Sequence, residues 1–353
     1  MPISTPSTSP RRSLRSHGGR LPALFATDTQ LLGWQGMTVI LPVDWNLASF
    51  GGNATSGNLR VDDGDGPRLE LRWEQPKNAP NLERSITQFL DRLEREAKKK
   101  QQHFQAADHP HLVAKTRKRK GQLVNFGWTG ESGDVPAGHG WGVAWQCGEC
   151  GRVVLAHIIG RGLEKPEKVQ KLASEVLTTL ECHGSGGWQT WGLFGLRLEI
   201  PEEFQLARAK IVTGRIEIEW IRPRPPGPRG WTRHEERIRV WRMAAGNVVL
   251  DEETLEDWTV RVLAEPDKRR RFGEPEATMV HGHEAFLLYG VARHIRQRAV
   301  NWALDRLLRR RTPPAVLRVW YCAQSNKIFV LDTELSLSNA HVTNDVLDSL
   351  ECH

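Results

Sequence analysis

The chain has 353 residues, which is longer than one ordinary domain and fits two, since domains typically contain about 100–200 residues. Hydrophobic residues make up 39% and charged residues 26%, and no run reaches the roughly 18 apolar residues of a membrane span, so we expect a globular protein with a core. Five cysteines are too few for a disulfide-dense secreted scaffold, and the net charge of +7 permits an acidic partner without requiring one.

The first 30 residues differ in composition from the rest. Residues 1–30 are rich in Ser, Thr, Pro and Arg and contain one acidic residue, Asp28. We predict a disordered basic tail, because this composition cannot fill a core. A transit peptide has a similar composition, and Arg11-Arg12 is similar to a twin-arginine start, but no hydrophobic segment follows. Without an export signal, we expect a cytoplasmic protein.

Strand and helix patterns follow the tail. One strand pattern ends at Pro42, and residues 69–73 alternate apolar and polar side chains as a half-buried strand does. An amphipathic helix is predicted to start near Asn81, a suitable N-cap. After several more strands, a last helix is predicted to start near Pro166, because proline suits a first helical turn.

The chain contains an internal duplication. Residues 175–183 return as residues 345–353 with six of nine positions identical, and both segments end in Leu-Glu-Cys-His. A duplication of long period indicates how a chain is divided into domains, so it is interpreted before the individual motifs. We therefore predict one repeat at 34–183, a Gly-rich linker at 184–190 and a second repeat at 191–353. Three further similarities occur in the same order, pairing residues 145–147 with 320–322, 69–73 with 216–220, and 39–42 with 198–201.

Each repeat shows strands in a row with helices placed to pack on them. This order is typical of an α+β domain with a largely antiparallel sheet. We therefore predict an α+β fold of two tandem layered domains, each a largely antiparallel sheet flanked by helices.

The order of elements resembles the PsbP-like superfamily, which includes photosystem II extrinsic subunits, Ran-binding nuclear-transport factors and DcrB-type lipoproteins. The resemblance rests on early strands that end at Pro42 and Pro201, on a glycine followed by an alternating strand, on the Gly-His-Glu-Ala run at 282–285, and on an aromatic strand before the last helix. It extends over both repeats. The resemblance implies a non-enzymatic binding or accessory protein.

The sharpest motif is Cys147-Gly-Glu-Cys150-Gly. A Cys-x-x-Cys-Gly turn presents two thiolates from one side, as in a zinc knuckle. Cys182 could supply a third ligand. The fourth candidate is His183 or His157, although adjacent residues such as Cys182 and His183 seldom both reach one ion.

Three interpretations of these cysteines stay open: a structural zinc site, a disulfide or redox pair, and thiols packed as small hydrophobic groups. The second repeat has Cys322, Cys352 and His353, but Ser325 stands where the first repeat has Cys150. This difference counts against a metal that both repeats need.

His281 and His283 would share one face of a strand, as two metal ligands would. With Glu284 and His294 nearby, the pair could form a metal or acid–base cluster, but the first repeat has no such pair and nothing else convergent is visible. We therefore interpret both histidines as strand surface.

Three segments are strongly basic: residues 115–120, 268–271 and 293–311. The last is predicted to be an amphipathic helix inserted in the second repeat alone, and such a helix can face an acidic partner, a nucleic acid or an anionic membrane. In the plainer interpretation, its apolar stripe packs onto the sheet and its arginines are solvated. The candidate partner-binding residues are Lys115, Arg117, Lys118, Arg119, Lys120, Arg269, Arg270, Arg271, Arg296, Arg306, Arg309, Arg310 and Arg311.

The sequence contains no nucleophile elbow, Walker loop or dinucleotide fingerprint, so we predict that the protein is not an enzyme. The leading hypothesis is a binding or scaffold protein that presents a basic face to a protein partner. One alternative is a nucleic-acid-associated protein whose Lys and Arg clusters contact phosphate. A weaker alternative is a zinc-stabilised or thiol-redox protein.

Overall fold

The structure is a computed structural model that describes residues 29–107, 112–113, 121–133, 135–222, 235–293 and 315–353. Three predictions fall outside this part of the chain: the tail up to residue 28, the basic segment 115–120, and residues 294–311 of the basic helix. Strands account for 52% of the described structure and helices for 21%. No helix in the described ranges is long and apolar enough to cross a membrane.

The first half of the chain runs through a hairpin, a large sheet and two helices. Its elements are β1 (Thr29–Trp34), β2 (Met37–Pro42), β3 (Asn46–Gly52), β4 (Ser56–Asp63), β5 (Gly66–Glu74), α1 (Leu82–Lys99), β6 (His103–Ala107), β7 (Leu123–Ser132), β8 (Val135–Gln146), β9 (Val153–Arg161) and α2 (Pro166–Thr178).

The second half repeats this order with a shorter helical segment in the middle. Its elements are β10 (Trp188–Leu193), β11 (Leu196–Pro201), β12 (Gln205–Val212), β13 (Arg215–Arg222), β14 (Glu236–Ala244), α3 (Gly246–Leu250), α4 (Leu255–Thr259), β15 (Arg270–Phe272), β16 (Glu276–Val280), β17 (His283–Ala292), β18 (Ala315–Cys322), β19 (Lys327–Glu334) and α5 (His341–Ser349).

Two large antiparallel sheets have the same strand order. The first is β3-β4-β5-β9-β8-β7-β6, and the second is β12-β13-β14-β19-β18-β17-β15, with β16 also paired to β17. The two halves of the described chain thus repeat one topology. One pair of matched sequence segments lies on strands that do not correspond. Residues 69–73 lie on β5, whereas residues 216–220 lie on β13, which is the counterpart of β4.

The two halves meet in a third sheet of order β11-β10-β1-β2. The two hairpins pair antiparallel where Gly33 lies opposite Gly192. A Cβ atom on Gly33 would lie 2.6 Å from the carbonyl oxygen of Thr190, and one on Gly192 would lie 2.6 Å from that of Leu31. Only glycine permits this approach on both sides. Because β10 begins at residue 188, residues 188–190 belong to this sheet rather than to the predicted linker.

One apolar core runs through both halves. Trp34, Trp191 and Trp220 are at most 1% exposed and lie in a row. The ring centroids of Trp34 and Trp191 are 5.0 Å apart, and those of Trp191 and Trp220 are 5.1 Å apart, each pair edge to face. Aromatic pairs favour this geometry, so the hairpin sheet is held by packing as well as by its hydrogen bonds.

The predicted α+β class with flanking helices is wrong, because the three antiparallel sheets dominate. Where the first half has the 18-residue α1, the described second half has the short helices α3 and α4, and a π-helical turn at Val260–Ala264 continues α4. The glycine-rich residues 127–142 form much of β7 and β8. A Cβ atom on Gly140 would lie 2.5 Å from the indole nitrogen of Trp128, and one on Gly142 would lie 2.4 Å from the ring of Phe126. Glycine in these strands makes room for aromatic rings on the neighbouring strand.

Glu236, the first residue of β14, is a buried carboxylate that is 2% exposed. It accepts hydrogen bonds from the amide of Ser336 at 2.9 Å, from Arg222 at 3.1 Å and from the side chain of Asn339 at 2.9 Å. Burial raises the pKa of Glu236, but the bonds from Ser336, Arg222 and Asn339 outweigh burial and lower the pKa to about 2. The ionised carboxylate therefore ties β14 to the turn before α5.

We expect Glu236→Gln to lower the free energy of unfolding by about 2 kcal/mol at pH 7, because hydrogen bonds to a charged group are lost. The folded pKa lies below the ordinary 4.5, so the carboxylate stabilises the wild type fully above about pH 5 and progressively less as the pH falls toward 2. Urea unfolding at pH 7 and pH 3 measures the difference between the two proteins. A difference that does not shrink at pH 3 would contradict this prediction.

Candidate metal centres

The first candidate centre lies where the loop between β8 and β9 meets the chain after α2. The amide of Cys147 donates to the carbonyl of Arg152 at 2.9 Å, and Gly151 turns the loop with a φ of 72°. This closed loop presents Cys147 and Cys150 from one side. The chain after α2 is fixed by paired backbone bonds between Thr38 and Glu181, which bring the next two residues to the loop.

The structure brings the four predicted ligands of this site together. Cys147 Sγ is 3.6 Å from His183 Nδ1, Cys150 Sγ is 3.5 Å from Cys182 Sγ, and Cys182 Sγ is 3.1 Å from His183 Nδ1. All four donor atoms lie within 4.8 Å of one another. A zinc tetrahedron with Zn–S near 2.3 Å and Zn–N near 2.0 Å has edges of about 3.5–3.8 Å. Two of the three distances match these edges, and the contact between Cys182 and His183 is shorter, so small side-chain shifts would place all four donors around one ion.

His183 reaches the cluster although it is adjacent to Cys182. It does so through Nδ1, the ring nitrogen nearer the main chain, while its Nε2 lies 3.0 Å from Glu149 Oε2. A carboxylate on the outer nitrogen holds the proton there and leaves the inner nitrogen free to bind a metal. The sequence signal for this arrangement is Glu149 itself, which lies inside the Cys-x-x-Cys turn.

His157, the other candidate ligand, lies outside the cluster. It is 1% exposed on β9, and its ring centroid is 5.1 Å from that of Phe89 and 6.3 Å from that of Phe126. Burial in this apolar site lowers the pKa of His157 to about 3. His157 is therefore a neutral core residue beneath α1.

The electrostatics of the first cluster favour the thiolate form of Cys150. The hydrogen bond with Cys182 lowers the pKa of Cys150 to about 4, and the same contact raises the pKa of Cys182. Arg152 lies below the cluster and donates to the carbonyls of Cys182, Gln35 and Ala54 at 2.8–3.0 Å. Arg152 thus fixes the carbonyl of Cys182, and its backbone amide lowers the pKa of Cys150.

A cleft of about 610 Å³ opens beside the first cluster. Its wall includes Glu149, Cys150 and His183 from the first half and Glu202 and Gln205 from the second half. Small solutes can therefore approach the first cluster from solvent, although Cys147 and Cys182 are at most 3% exposed.

A second Cys/His cluster occupies the corresponding place in the second half. His283, Cys322, Cys352 and His353 place their donor atoms within 4.8 Å of one another. Cys322 Sγ is 3.4 Å and Cys352 Sγ is 3.2 Å from His353 Nδ1, and Cys352 Sγ is 3.5 Å from His283 Nε2. The sequence interpretation of His283 as strand surface missed this convergence. Its neighbour His281 instead contacts the carbonyl oxygen of Leu347 at 2.8 Å through Nε2.

The candidate partner-binding arginines in the described ranges differ in their surroundings. Arg269 and Arg271 are exposed. Arg270 is engaged within the protein, with its guanidinium 2.6 Å from Asp332 and 2.8 Å from Asp267. Arg270 is therefore not available to a partner. The candidates that lie outside the described residues are Lys115, Arg117, Lys118, Arg119, Lys120, Arg296, Arg306, Arg309, Arg310 and Arg311.

No protein-family model and no curated protein matches the chain. Among solved structures, it is similar to a protein from Bacteroides thetaiotaomicron VPI-5482, with 13% identity, a TM-score of 0.26, and coverage of 49% of this chain and 53% of that chain. The chain therefore spans about half the length of that protein. At these low scores, the resemblance to the PsbP-like superfamily is not tested and stays a prediction.

The chain is also similar to the immunity protein TplEi of T6SS from Pseudomonas aeruginosa. The apo structure has 11% identity, a TM-score of 0.31, and coverage of 93% of this chain and 98% of that chain. The complex with the "L" peptide has 10% identity, a TM-score of 0.31, and coverage of 92% and 97%. TM-scores this low support no conclusion about fold or function.

Proposed function

We propose that the chain is a non-catalytic binding protein whose fold is stabilised by a structural zinc ion bound to Cys147, Cys150, Cys182 and His183. The observation that carries this proposal is the convergence of four protein donor atoms within 4.8 Å. Zinc sites with four protein ligands are structural, whereas catalytic zinc keeps one position open for water or substrate.

The contacts of the first cluster favour zinc over the other two interpretations. A disulfide between Cys150 and Cys182 would leave Cys147 and His183 without a role in the same cluster. Thiols packed as small hydrophobic groups would not require His183 to turn a nitrogen toward two sulfurs, nor Glu149 to hold the other nitrogen. A metal ion accounts for all four side chains and for the carboxylate behind the histidine.

A zinc ion at this place would connect the loop after β8 to the chain that leaves α2. These two segments are held apart in sequence by β9 and α2, and they form the seam between the large sheet and its closing helix. Since the unfolded chain lacks a formed site, the free energy of zinc binding adds to the free energy of folding.

The proposed partner is an acidic protein surface that contacts the basic side of the second sheet. Support comes from the net charge of +7 and from Arg269 and Arg271, which are exposed at the edge strand β15. Exposed charges of this kind set partner choice and the association rate, and reversing them slows association and so weakens binding.

We expect the double charge reversal Arg269→Glu/Arg271→Glu to weaken binding of an acidic partner, recovered by affinity capture on the full chain, by about tenfold. The matched control is Arg208→Glu/Lys210→Glu, which changes the same charge on β12 at the opposite edge of the sheet and should leave the affinity within about twofold. Titration calorimetry measures all three affinities. Equal weakening by both double variants would contradict a localised basic face.

A labelled DNA duplex serves as the second probe in the same experiment. Tight binding whose logarithm falls steeply with the logarithm of salt concentration would favour the nucleic-acid alternative over a protein partner. Turnover of any substrate that is lost on changing one cysteine or histidine of the first cluster would contradict the non-catalytic proposal.

A further inference from the structure

We propose that His283, Cys322, Cys352 and His353 bind a second zinc ion, so that each half of the chain is closed by its own metal. This goes beyond the proposed function, which involves the first cluster alone. The strand register shows that the two halves supply their fourth ligand from two different positions.

Register locates the counterpart of His283. Ala285 pairs with Trp320 on β17 and β18, and Leu123 pairs with Trp145 on β7 and β8. Since the two tryptophans each precede a cluster cysteine by two residues, the residue two before Ala285 corresponds to the residue two before Leu123. His283 therefore corresponds to Gly121.

Gly121 has no room for a side chain. A Cβ atom there would lie 1.9 Å from the carbonyl oxygen of Gln146 and 2.9 Å from the amide of Gly148, and its φ of 127° disfavours any other residue. In the first half, the loop that carries Cys150 is packed against this point. A side chain at 121 would therefore collide with the backbone of the loop that carries Cys147 and Cys150.

In the second half the two positions are occupied the other way round, with a histidine at 283 and no cysteine at 325. Ser325 follows Cys322 by three residues, as Cys150 follows Cys147, and the hydroxyl of serine is not among the ligands that zinc prefers. His283 places its Nε2 3.5 Å from Cys352 Sγ in the same half. Each half thus has a donor at one of the two positions and none at the other. A packing role for the thiols does not explain this exchange, whereas a need for four ligands does.

The second cluster also has the surroundings of the first. Cys352 and His353 follow α5 as Cys182 and His183 follow α2, and the backbone of Glu351 pairs with Arg197 as Glu181 pairs with Thr38.

Lys327 stands where the first half has Arg152, so a cation again lies beside the thiols. The rings of His283 and His353 meet edge to face with centroids 5.5 Å apart, and one nitrogen of each ring faces Cys352. Two thiolates and two neutral imidazoles form a closed structural zinc site.

Elemental analysis of the purified full chain tests this proposal. We expect two zinc ions per chain in the wild type, one in His283→Ala, and two again in His283→Ala/Ser325→Cys, because the added cysteine recreates the ligand position used by the first half. His281→Ala is the matched control, since its side chain contacts a backbone carbonyl instead of the cluster, and it should keep two.

The variant His283→Cys keeps a ligand at position 283, so it tests the second zinc site even if His283→Ala fails to fold. It should retain two zinc ions, and after replacement by Co²⁺ it should show stronger thiolate-to-metal absorption than the wild type. Two zinc ions in folded His283→Ala would overturn the proposal, as would a wild type with one zinc ion that Cys150→Ser removes. One zinc ion that His283→Ala removes and Cys150→Ser keeps would contradict zinc in the first cluster while supporting the second site.

Discussion

Cys182→Ser is expected to lose the zinc ion of the first cluster and to lower the thermal midpoint by about 10 °C. At free zinc a thousand times above the dissociation constant, a bound ion stabilises the folded state by about 4 kcal/mol, and each kcal/mol corresponds to about 2–4 °C for a domain of this size. Cys182 is 1% exposed, so a serine hydroxyl at this position would be buried away from water, which also costs free energy. Differential scanning calorimetry with zinc present measures the midpoint.

The control is the wild type treated with a chelator, which reaches the first cluster through the cleft. If zinc accounts for the loss of stability, the chelator should lower the midpoint of the wild type more than that of Cys182→Ser. Glu149→Gln provides a graded variant, because weakening the partner of His183 Nε2 should reduce zinc affinity about tenfold without unfolding the chain. A midpoint of the wild type that the chelator leaves unchanged would refute the structural role of zinc.

Gly33→Ala is expected to destabilise the chain by about 3 kcal/mol, although it adds one methyl group. The new Cβ would lie 2.6 Å from the carbonyl oxygen of Thr190 and 2.8 Å from the amide of Gly192, so the backbones of β1 and β10 must move apart. Overpacking of this kind typically costs about 1–3 kcal/mol, and here the contacted atoms belong to the backbone and cannot rotate away. Urea unfolding followed by tryptophan fluorescence measures the effect, since Trp34 and Trp191 pack beside this crossing.

Gly64→Ala is the matched control for Gly33→Ala. Gly64 lies in the turn between β4 and β5, and a Cβ atom there meets nothing within 4 Å. Its free energy of unfolding should stay within about 0.5 kcal/mol of the wild type. Similar effects of the two substitutions would show that the hairpins do not meet as tightly as these distances indicate.

Local signals in the sequence predicted the helices of the first half well. Asn81 caps α1 by accepting from the amide of Arg84 at 2.9 Å, and Pro166 begins α2, so both predictions are confirmed. Capping and proline positions could be read because the responsible contacts are within one helical turn.

Strands whose pattern depends on distant partners were not predictable in the same way. Residues 127–142 are rich in glycine because Trp128 and other rings lie across the neighbouring strand, and only the paired sheet reveals this need for space. The same limit applies to the two candidate metal centres. Cys147 and Cys150 were identifiable from their spacing, whereas His283 became a ligand candidate only when the register of β17 brought it to Cys352.

Gly33 and Gly192, which face each other, hold corresponding positions in the two halves of the chain. Each hairpin offers the same strand to the other, which is the isologous contact of a twofold-symmetric dimer. A protein with one copy could pair with itself through this glycine, but its two Cys/His clusters would be encoded by one gene and would have to be identical. In a single chain that restriction does not apply, and the two clusters here differ: the first has three cysteines and one histidine, and the second has two of each.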